Sequence, residues 1–307
     1  MDELDRRIIK ELQADPRTSN ARLANTLGVS EPTIGRRIDR LVSSNDLVFS
    51  ALPDMKFFGY TTNAYIGLRV KQSARPIIGE HLCQSPCLRF VSLCEGFADF
   101  FIGGDFTSTE ALADFVTGYI GKIDGVIHID TMVELKQIKK RSYGLQRPNA
   151  GAPEPHTLKN ININETDRCL ILELQKDCRV PLKKLAIELH MSEPTVHRRI
   201  KNLVSSGAIK LTATTTKVLY RVQDIIGIEA NPAELEQVAI AISHYPQVQH
   251  VGIYSGPVQI LCGIYSSSTE ELSQFASQEL VKTEGITRVS LIGHLKVLKR
   301  GLPLIWK

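Results

Sequence analysis

The sequence lacks a hydrophobic run that could cross a membrane, because no apolar stretch approaches the roughly 18 residues that a transmembrane helix needs. Its first six residues are acidic and polar, which argues against a secretory signal peptide. Six cysteines in a chain of 307 residues do not form a disulfide framework. We therefore expect a cytoplasmic protein with no membrane partner.

The sequence also lacks the short motifs that mark common enzyme classes. It contains no Walker A loop, no GxGxxG and no GxSxG sequence. The eight histidines make no pattern of spaced metal ligands, and we expect Cys83, Cys87 and Cys94 to be buried thiols. These absences predict no metal, no cofactor and no catalytic residue.

Neither sign of charge dominates, since 37 Lys and Arg stand against 33 Asp and Glu, so the distribution of charge is more informative than its sum. Residues 164–212 hold nine Lys and Arg against six Asp and Glu, whereas residues 1–50 hold eight of each. The chain is long enough for two to four domains, each with its own core. Its second half begins with the more cationic segment.

What the sequence does contain is an internal repeat. Ser30–Ile38 returns 162 residues later as Ser192–Ile200 with two changes. The repeat extends without a gap over Leu4–Leu47 and Thr166–Ile209, where 22 of 44 positions are identical. Such repetition indicates two copies of one structural module.

Each copy has the pattern of a helix-turn-helix head. In the first copy, an apolar stripe predicts a helix over residues 2–14. A short second helix ends at Gly28, which suits a left-handed cap, and Ser30 is a good N-cap for a third helix over residues 31–44. The second copy, at residues 164–207, repeats this order. The third helix of such a motif is the recognition helix.

The predicted recognition helix has two different sides. Ile34 and Ile38 would pack the core of the head, while Thr33 and Arg36 would point away from it. Arginine can pair with guanine and a threonine methyl can touch thymine in the major groove, whereas Arg37 lies at the flank, where phosphate contact is expected. We therefore predict double-stranded DNA as a partner. The predicted contact residues are Ser30, Thr33, Gly35, Arg36, Arg37 and Arg40 in the first copy and Ser192, Thr195, His197, Arg198, Arg199, Lys201 and Asn202 in the second.

After each head the pattern changes to β-α-β-β-α-β, which is the ferredoxin-like order. In the first copy we predict strands at residues 63–70, 88–95, 98–105 and 126–135, with helices at residues 74–83 and 108–120. This part repeats with an offset of 160, as when Ile66-Gly67-Leu68 returns as Ile226-Gly227-Ile228. Gly103-Gly104 is interpreted as a turn at the end of a strand.

The sequence thus predicts an α+β protein made of two tandem units. Heads are predicted at residues 1–46 and 164–209, connecting strands at 47–62 and 210–223, ferredoxin-like domains at 63–144 and 224–307, and a linker at 145–163. One face of each sheet needs cover, so we expect the two sheet domains to pair as a pseudo-dimer, within one chain or by exchange between chains. The residues expected to face each other are Tyr65, Phe90, Phe100 and Phe101 on one sheet and Ile228, Val251, Leu261 and Ile264 on the other.

The order of head, connecting strand and ferredoxin-like domain resembles the Lrp/AsnC (feast/famine) transcriptional regulators. The stretches that match their pattern are Leu4–Ile9, Leu23–Ser30, Thr33–Leu41, Phe58–Thr61 and Gly96–Asp99. The resemblance implies a DNA-binding regulator that assembles into homo-oligomers and responds to a small effector, commonly an amino acid.

The resemblance also places the turn that contains Gly96 and Asp99 near the effector. The Asp99 carboxylate could receive an ammonium group in a charge-assisted bond, so both residues are predicted effector contacts. The alternative is a plain turn between strands, with Asp99 exposed. The second copy has Gln259 in place of the carboxylate.

Two other functions fit parts of the pattern. Siroheme decarboxylases resemble two fused Lrp-like units, and in such an enzyme His128, His294 and Arg69 would be candidates to hold propionates and move protons. Two intact recognition helices argue against that alternative. A protein that only compacts DNA, with no effector, is the third possibility.

Overall fold

In a computed structural model, residues 1–44, 46–139, 162–214, 224–264, 266 and 268–300 are described. The chain divides into two compact units, one holding both heads and the other holding both sheet domains. Nearly all of the predicted linker at residues 145–163 lies outside the described residues.

The first head is a three-helix motif, as the sequence predicts. Its helices are α1 (Glu3–Ala14), α2 (Asn20–Leu27) and α3 (Glu31–Ser43). Gly28 has φ +70° and ends α2 in the left-handed conformation, which confirms the predicted cap. Ser30 precedes α3, but its hydroxyl pairs with Thr33 Oγ1 at 2.8 Å and makes no capping bond to the backbone.

The second head repeats this arrangement with small differences. Its helices are α6 (Glu165–Lys176), α7 (Leu182–Glu188) and α8 (Glu193–Ser205). His190 occupies the position of Gly28 and adopts a positive φ of 53°, which is uncommon for a residue with a side chain. Ser192 does accept a bond from the Thr195 backbone N–H, so the predicted cap is formed in this copy.

The two heads are joined by an antiparallel ribbon. Strand β1 (Val48–Pro53) pairs with β6 (Ile209–Thr214), and Ser50 lies opposite Thr212, its own equivalent in the repeat. A local pseudo-twofold axis therefore passes through the ribbon. The buried core of the first head also includes Cys178 and Ala213 from the second half, so the heads share apolar contacts. The first predicted connecting strand, residues 47–62, is shorter than expected, since a 3-10 turn at Met55–Phe58 follows β1. Most of the second, residues 210–223, lies outside the described residues.

Each sheet domain has the predicted β-α-β-β-α-β order. The first contains β2 (Thr62–Val70), α4 (Arg75–Gln84), β3 (Leu88–Glu95), β4 (Phe100–Phe106), α5 (Thr109–Asp114) and β5 (Val126–Lys139). The second contains β7 (Asp224–Ala230), β8 (Val248–Tyr254), β9 (Ile260–Ile264), β10 (Ile286–Arg300) and helices at Leu235–Ser243 and Thr269–Gln274.

The prediction of a turn at Gly103-Gly104 is wrong, because both residues lie inside β4. A Cβ on Gly103 would come 2.8 Å from the Tyr65 ring, and a Cβ on Gly104 would come 2.7 Å from the Cys87 carbonyl oxygen. The glycines are therefore required by close packing on β4 and not by a turn.

The two sheet domains pair within one chain, which confirms the expected pseudo-dimer. The last strand of each domain continues beyond its own sheet. The first part of β5 pairs with β2 and its last part with β8, while the first part of β10 pairs with β7 and its last part with β3. Together the strands close into a barrel of order β10-β3-β4-β2-β5-β8-β9-β7. The sequence predicts only residues 126–135 for β5, and the missed extension to Lys139 makes most of the pairing with β8.

The cluster between the sheets differs in part from the expectation. Tyr65, Phe90, Phe101 and Leu261 lie there as predicted. Phe100, by contrast, packs under the helices of the first domain, and Ile228, Val251 and Ile264 pack under those of the second. These four assignments are wrong because side chains alternate between the two faces of a strand, and the expected set included residues from both faces.

Candidate nucleic-acid interface and effector region

The two recognition helices present matching residues away from the cores of their heads. Arg36 on α3 and Arg198 on α8 are exposed, with Thr33 and Thr195 half-buried beside them. The opposite side of each helix is buried and consists of Ile34, Ile38, Leu41, Val196, Ile200 and Leu203. The side chains predicted to contact bases are therefore on the accessible side of each helix.

Arg37 and Arg40 are both occupied within the first head. Arg37 Nη1 donates to Asp2 Oδ2 at 2.6 Å and to Asp5 Oδ1 at 2.8 Å, and Arg40 Nη2 donates to Asp5 Oδ2 at 2.6 Å. The hydrogen bond from Arg37 lowers the pKa of Asp2 to about 2. These pairs hold α1 against the recognition helix, so a DNA phosphate would have to share both arginines with the carboxylates.

The second head keeps only part of this network. Arg199 Nη1 donates to Asp167 Oδ1 at 2.7 Å, as Arg37 does to Asp5. Asn202 replaces Arg40 and is exposed. Arg199 therefore ties α6 to α8, and Asn202 is accessible as a predicted DNA contact.

The remaining predicted contacts lie on the sides of the two helices. Gly35 is half-buried, and a Cβ at this position would lie 3.5 Å from Asn20 Nδ2. His197 and Lys201, the residues predicted in the second copy, are exposed on α8. They border a cavity that also includes Arg17 of the first head.

Two arginines that the sequence analysis missed exchange contacts between the heads. Arg17 donates to the carbonyl oxygens of Cys178 and Val180 at 3.0 and 3.1 Å. Arg179, its equivalent in the repeat, donates to the Thr18 carbonyl oxygen at 3.2 Å. This exchange and the β1–β6 ribbon hold the heads as one pseudo-symmetric pair. Identity at these aligned positions was a signal in the repeat, but the sequence alone did not indicate contact between copies.

The turn at Gly96–Asp99 is closed by bonds within the first sheet domain. Asp99 Oδ2 accepts the Val70 N–H at 2.7 Å, and Oδ1 pairs with Arg75. Burial opposes ionisation of Asp99, but the bonds from Val70 and Arg75 hold the pKa of this carboxyl below its usual value. The alternative with an exposed Asp99 is wrong, since the side chain is only 18% exposed. An effector ammonium would have to compete with Arg75 for this carboxylate.

The second copy closes the equivalent turn without charge. Gln259 Oε1 accepts the Ala230 N–H at 3.0 Å, which is the bond that Asp99 makes to Val70. Leu235 begins its helix at the position where Arg75 begins α4. A carboxylate and guanidinium in one half are thus replaced by an amide and an aliphatic side chain in the other.

Two equivalent points between the sheets hold different polar groups. Where β10 meets β3, His294 Nδ1 lies 3.3 Å from Cys94 Sγ. Where β5 meets β8, the Tyr254 hydroxyl donates to Glu134 Oε2 at 3.1 Å. Burial raises the pKa of Cys94 to about 11 and that of Tyr254 well above its usual value, so both groups stay protonated at neutral pH.

The residues considered for an enzyme are divided between two places. Arg69 and His128 are cross-strand neighbours on β2 and β5, and His128 Nε2 pairs with Asp130 at 3.0 Å. His294 instead lies on β10 beside Cys94. Of the three cysteines expected to be buried, Cys94 is buried, Cys83 is half-buried and Cys87 is exposed, so the prediction for Cys87 is wrong.

The described residues also bear on metal binding and membrane insertion. Among these residues no three His, Cys, Asp or Glu side chains form a group that could hold a metal ion. Within the same ranges, no helix combines the length and the apolar character needed to cross a bilayer.

Comparison with known proteins finds relatives that match slightly less than half of the chain. The chain is 29% identical over 140 residues to the HTH-type transcriptional regulator LrpA of Pyrococcus horikoshii, covering 45% of this chain and 99% of that protein. It is 30% identical over 145 residues to the HTH-type transcriptional regulator FL11 of Pyrococcus furiosus, covering 46% of this chain and 95% of that protein. Each comparison thus aligns about one half of this chain with almost the whole of a relative.

A solved structure resembles the whole chain. The siroheme decarboxylase NirDL superposes with a TM-score of 0.71 and 15% identity, covering 97% of this chain and 93% of that chain. At this identity the similarity shows a shared fold.

Family matches agree with the architecture. The AsnC-type helix-turn-helix domain matches residues 1–42 and 163–204, and the Lrp/AsnC ligand binding domain matches residues 63–143 and 223–304. The four segments cover most of the chain and repeat the order of head and sheet domain seen in the fold. The chain belongs to the Lrp/AsnC family of helix-turn-helix transcriptional regulators, with two family units in one polypeptide.

Proposed function

We propose that this protein is a sequence-specific regulator that binds double-stranded DNA with both heads of one chain. The supporting observation is the reciprocal contact of Arg17 and Arg179, which holds two recognition helices as a pseudo-symmetric pair. In the family pattern this pairing would require two subunits. Here both helices belong to the same molecule, so they need not have the same specificity.

The operator is expected to be an imperfect palindrome. Thr33 and Arg36 of the first head have identical equivalents in the second, which should preserve a common part of each half-site. The copies differ at Gly35, Asp39 and Arg40, where the second has His197, Lys201 and Asn202. If both heads bind one side of the duplex, the half-site centres should be about 34 Å apart or a multiple of that distance.

The test is footprinting of Arg36→Ala and Arg198→Ala on a bound operator. Each substitution should cost about 1–3 kcal/mol of binding free energy and relax specificity in one half-site only. Lys10→Ala, at an exposed position on α1, is the control and should retain the full footprint. Equal loss in both half-sites, or no protection by the wild-type protein at any salt concentration, would show that the proposal is wrong.

We further propose that a small effector, such as an amino acid, binds the sheet-domain unit and changes DNA affinity. The match to a ligand binding domain supports this proposal. The bonds that Asp99 makes within the sheet domain give that residue a structural role. Thermal shift with an amino-acid panel tests the proposal. A protein that only compacts DNA would show no shift and no effect of any amino acid on binding.

The alternative function is decarboxylation of a tetrapyrrole. Its support is the whole-chain similarity in fold to NirDL, which is named as a siroheme decarboxylase. Adding siroheme and recording its absorption band tests this alternative. A shifted band and loss of carboxyl groups would favour the enzyme, while an unchanged band would favour the regulator.

A further inference from the structure

A cavity lies between the two heads, at the side of the second recognition helix. Its volume is about 370 Å³, within the range of small-molecule sites. The lining residues come from both heads and are Arg17, Leu182, His197, Ile200, Lys201, Val204 and Ser205. Three of these seven side chains are aliphatic, two are cationic, and the other two are an imidazole and a hydroxyl.

Two cationic side chains, Arg17 and Lys201, belong to the lining. Arg17 is held by the carbonyl oxygens of Cys178 and Val180, so its guanidinium has a fixed position. Lys201 is an exposed cation on α8. Among the described lining residues none is a carboxylate. Asp15 lies near in sequence, but its Oδ1 accepts the backbone N–H of Arg17.

The first head lacks this combination at the equivalent positions. Asn20 stands where the second head has Leu182, and its Oδ1 accepts a bond from Arg179 at 3.1 Å. Asp39 stands where the second head has Lys201. Burial lowers the pKa of Arg179, and the nearby carboxylates of Asp177 and Asp39 oppose this lowering. The charge of Arg179 is therefore balanced by the Asn20 acceptor and the Asp39 carboxylate. The Arg17 side, which includes Lys201, carries an excess of positive charge.

We propose that the cavity binds a small carboxylate with a branched aliphatic or aromatic body. The carboxylate would pair with Arg17 and Lys201 through charge-assisted bonds. The apolar body would lie against Leu182, Ile200 and Val204, removing aliphatic surface from water. An ion such as inorganic phosphate would use the cations but not the aliphatic lining.

Occupation of this cavity would affect DNA binding through the second head. His197 and Lys201 belong to α8, and the proposed function uses this helix for recognition. A bound carboxylate neutralises positive charge on the side of the helix and lowers its attraction for phosphates. This consequence rests on the proposed function, whereas binding of the carboxylate does not.

The test is isothermal calorimetry on the full chain with phenylacetate and 4-methylpentanoate, each matched with its neutral amide. Loss of a charged hydrogen-bond partner changes affinity by roughly tenfold or more, so we expect the acids to bind at least about tenfold more tightly than the amides. Lys201→Asp, which introduces the residue of the first head, should weaken binding by about tenfold or more. Lys183→Asp, at an exposed position on α7 outside the lining, makes the same charge change and should leave affinity within about twofold.

The possible outcomes separate the two proposals. Equal binding of acid and amide, no binding of either acid, equal loss in both variants, or phosphate binding as tight as the acids overturns the carboxylate site. Thermal melting of each variant verifies that it is folded. If carboxylates bind as expected but no DNA is protected, the proposed function fails while the site stands. If DNA is protected and no carboxylate binds, only the site fails.

Discussion

The different chemistry of the two equivalent turns leads to a prediction about stability. Asp99 and Gln259 accept the same backbone N–H, but only Asp99 is paired with an arginine, Arg75. We predict that Asp99→Gln destabilises the protein, and that adding Arg75→Leu recovers most of the loss. The double variant copies the arrangement of the second half, where both equivalent residues, Gln259 and Leu235, are uncharged.

The magnitude follows from the exposure of the pair. Asp99→Gln keeps an acceptor for Val70 but leaves the Arg75 guanidinium, 26% exposed, without its carboxylate. Breaking a fully buried ion pair costs about 3–5 kcal/mol, and partial exposure to solvent reduces this to about 1–2 kcal/mol here. Arg75→Leu alone leaves Asp99 without its cation and should cost a similar amount. The double variant should lie within about 1 kcal/mol of wild type, because no uncompensated charge remains.

The effect should depend on pH in a known direction. The pKa of Asp99 is lowered in the folded state, so its charge adds stability above the unfolded-state pKa of about 4. That contribution is lost as the pH falls through the lower folded-state pKa. The difference between wild type and Asp99→Gln should therefore be largest near neutral pH and decrease below about pH 4.

Urea unfolding of the full chain at several pH values measures these differences. The reverse pair, Gln259→Asp with Leu235→Arg, is the control, because it introduces the charged arrangement into the second half. Additive losses for Asp99→Gln and Arg75→Leu, or a loss that does not change with pH, would refute the argument.

Three further substitutions test other parts of the fold. Arg17→Met should cost about 1–3 kcal/mol in urea unfolding, because it removes two charge-assisted bonds between the heads; no change would mean that the exchange does not stabilise the pair. Tyr254→Phe should cost about 1–2 kcal/mol, since Glu134 loses a buried donor, and an unchanged melting temperature would contradict this. Gly256→Ala should destabilise the protein more than Gly96→Ala does. Both glycines have positive φ, but only at position 256 would a Cβ lie 2.8 Å from a carbonyl oxygen. Equal melting temperatures of the two variants would contradict this explanation.

Much of the candidate interface could be predicted because its determinants are local. The apolar spacing of Ile34 and Ile38 indicates α3, and Gly28 marks the end of α2. Both signals act within a few residues of the chain. These interactions place Arg36 and Arg198 on exposed helix sides, as predicted. The repeat extends the same reasoning to the second head without new assumptions.

The partners of the charged residues could not be predicted in the same way. Arg37 and Arg40 were assigned to DNA from their position on a helix, but Asp5 lies 32 and 35 residues away in sequence. Asp99 was assigned to an effector, but Arg75 is 24 residues away. Periodicity shows which side of an element a residue occupies, and it does not show which element packs against that side.

By itself the sequence determined the two heads, the two ferredoxin-like domains and their order, because caps, turns and periodicity act over short distances. Only the tertiary structure decided how the halves meet. The bond of Arg17 to Val180 and the meeting of Cys94 with His294 join residues 163 and 200 positions apart. Such contacts depend on which strand edges and helix ends remain unpaired after each half has folded, and that is a property of the assembled chain.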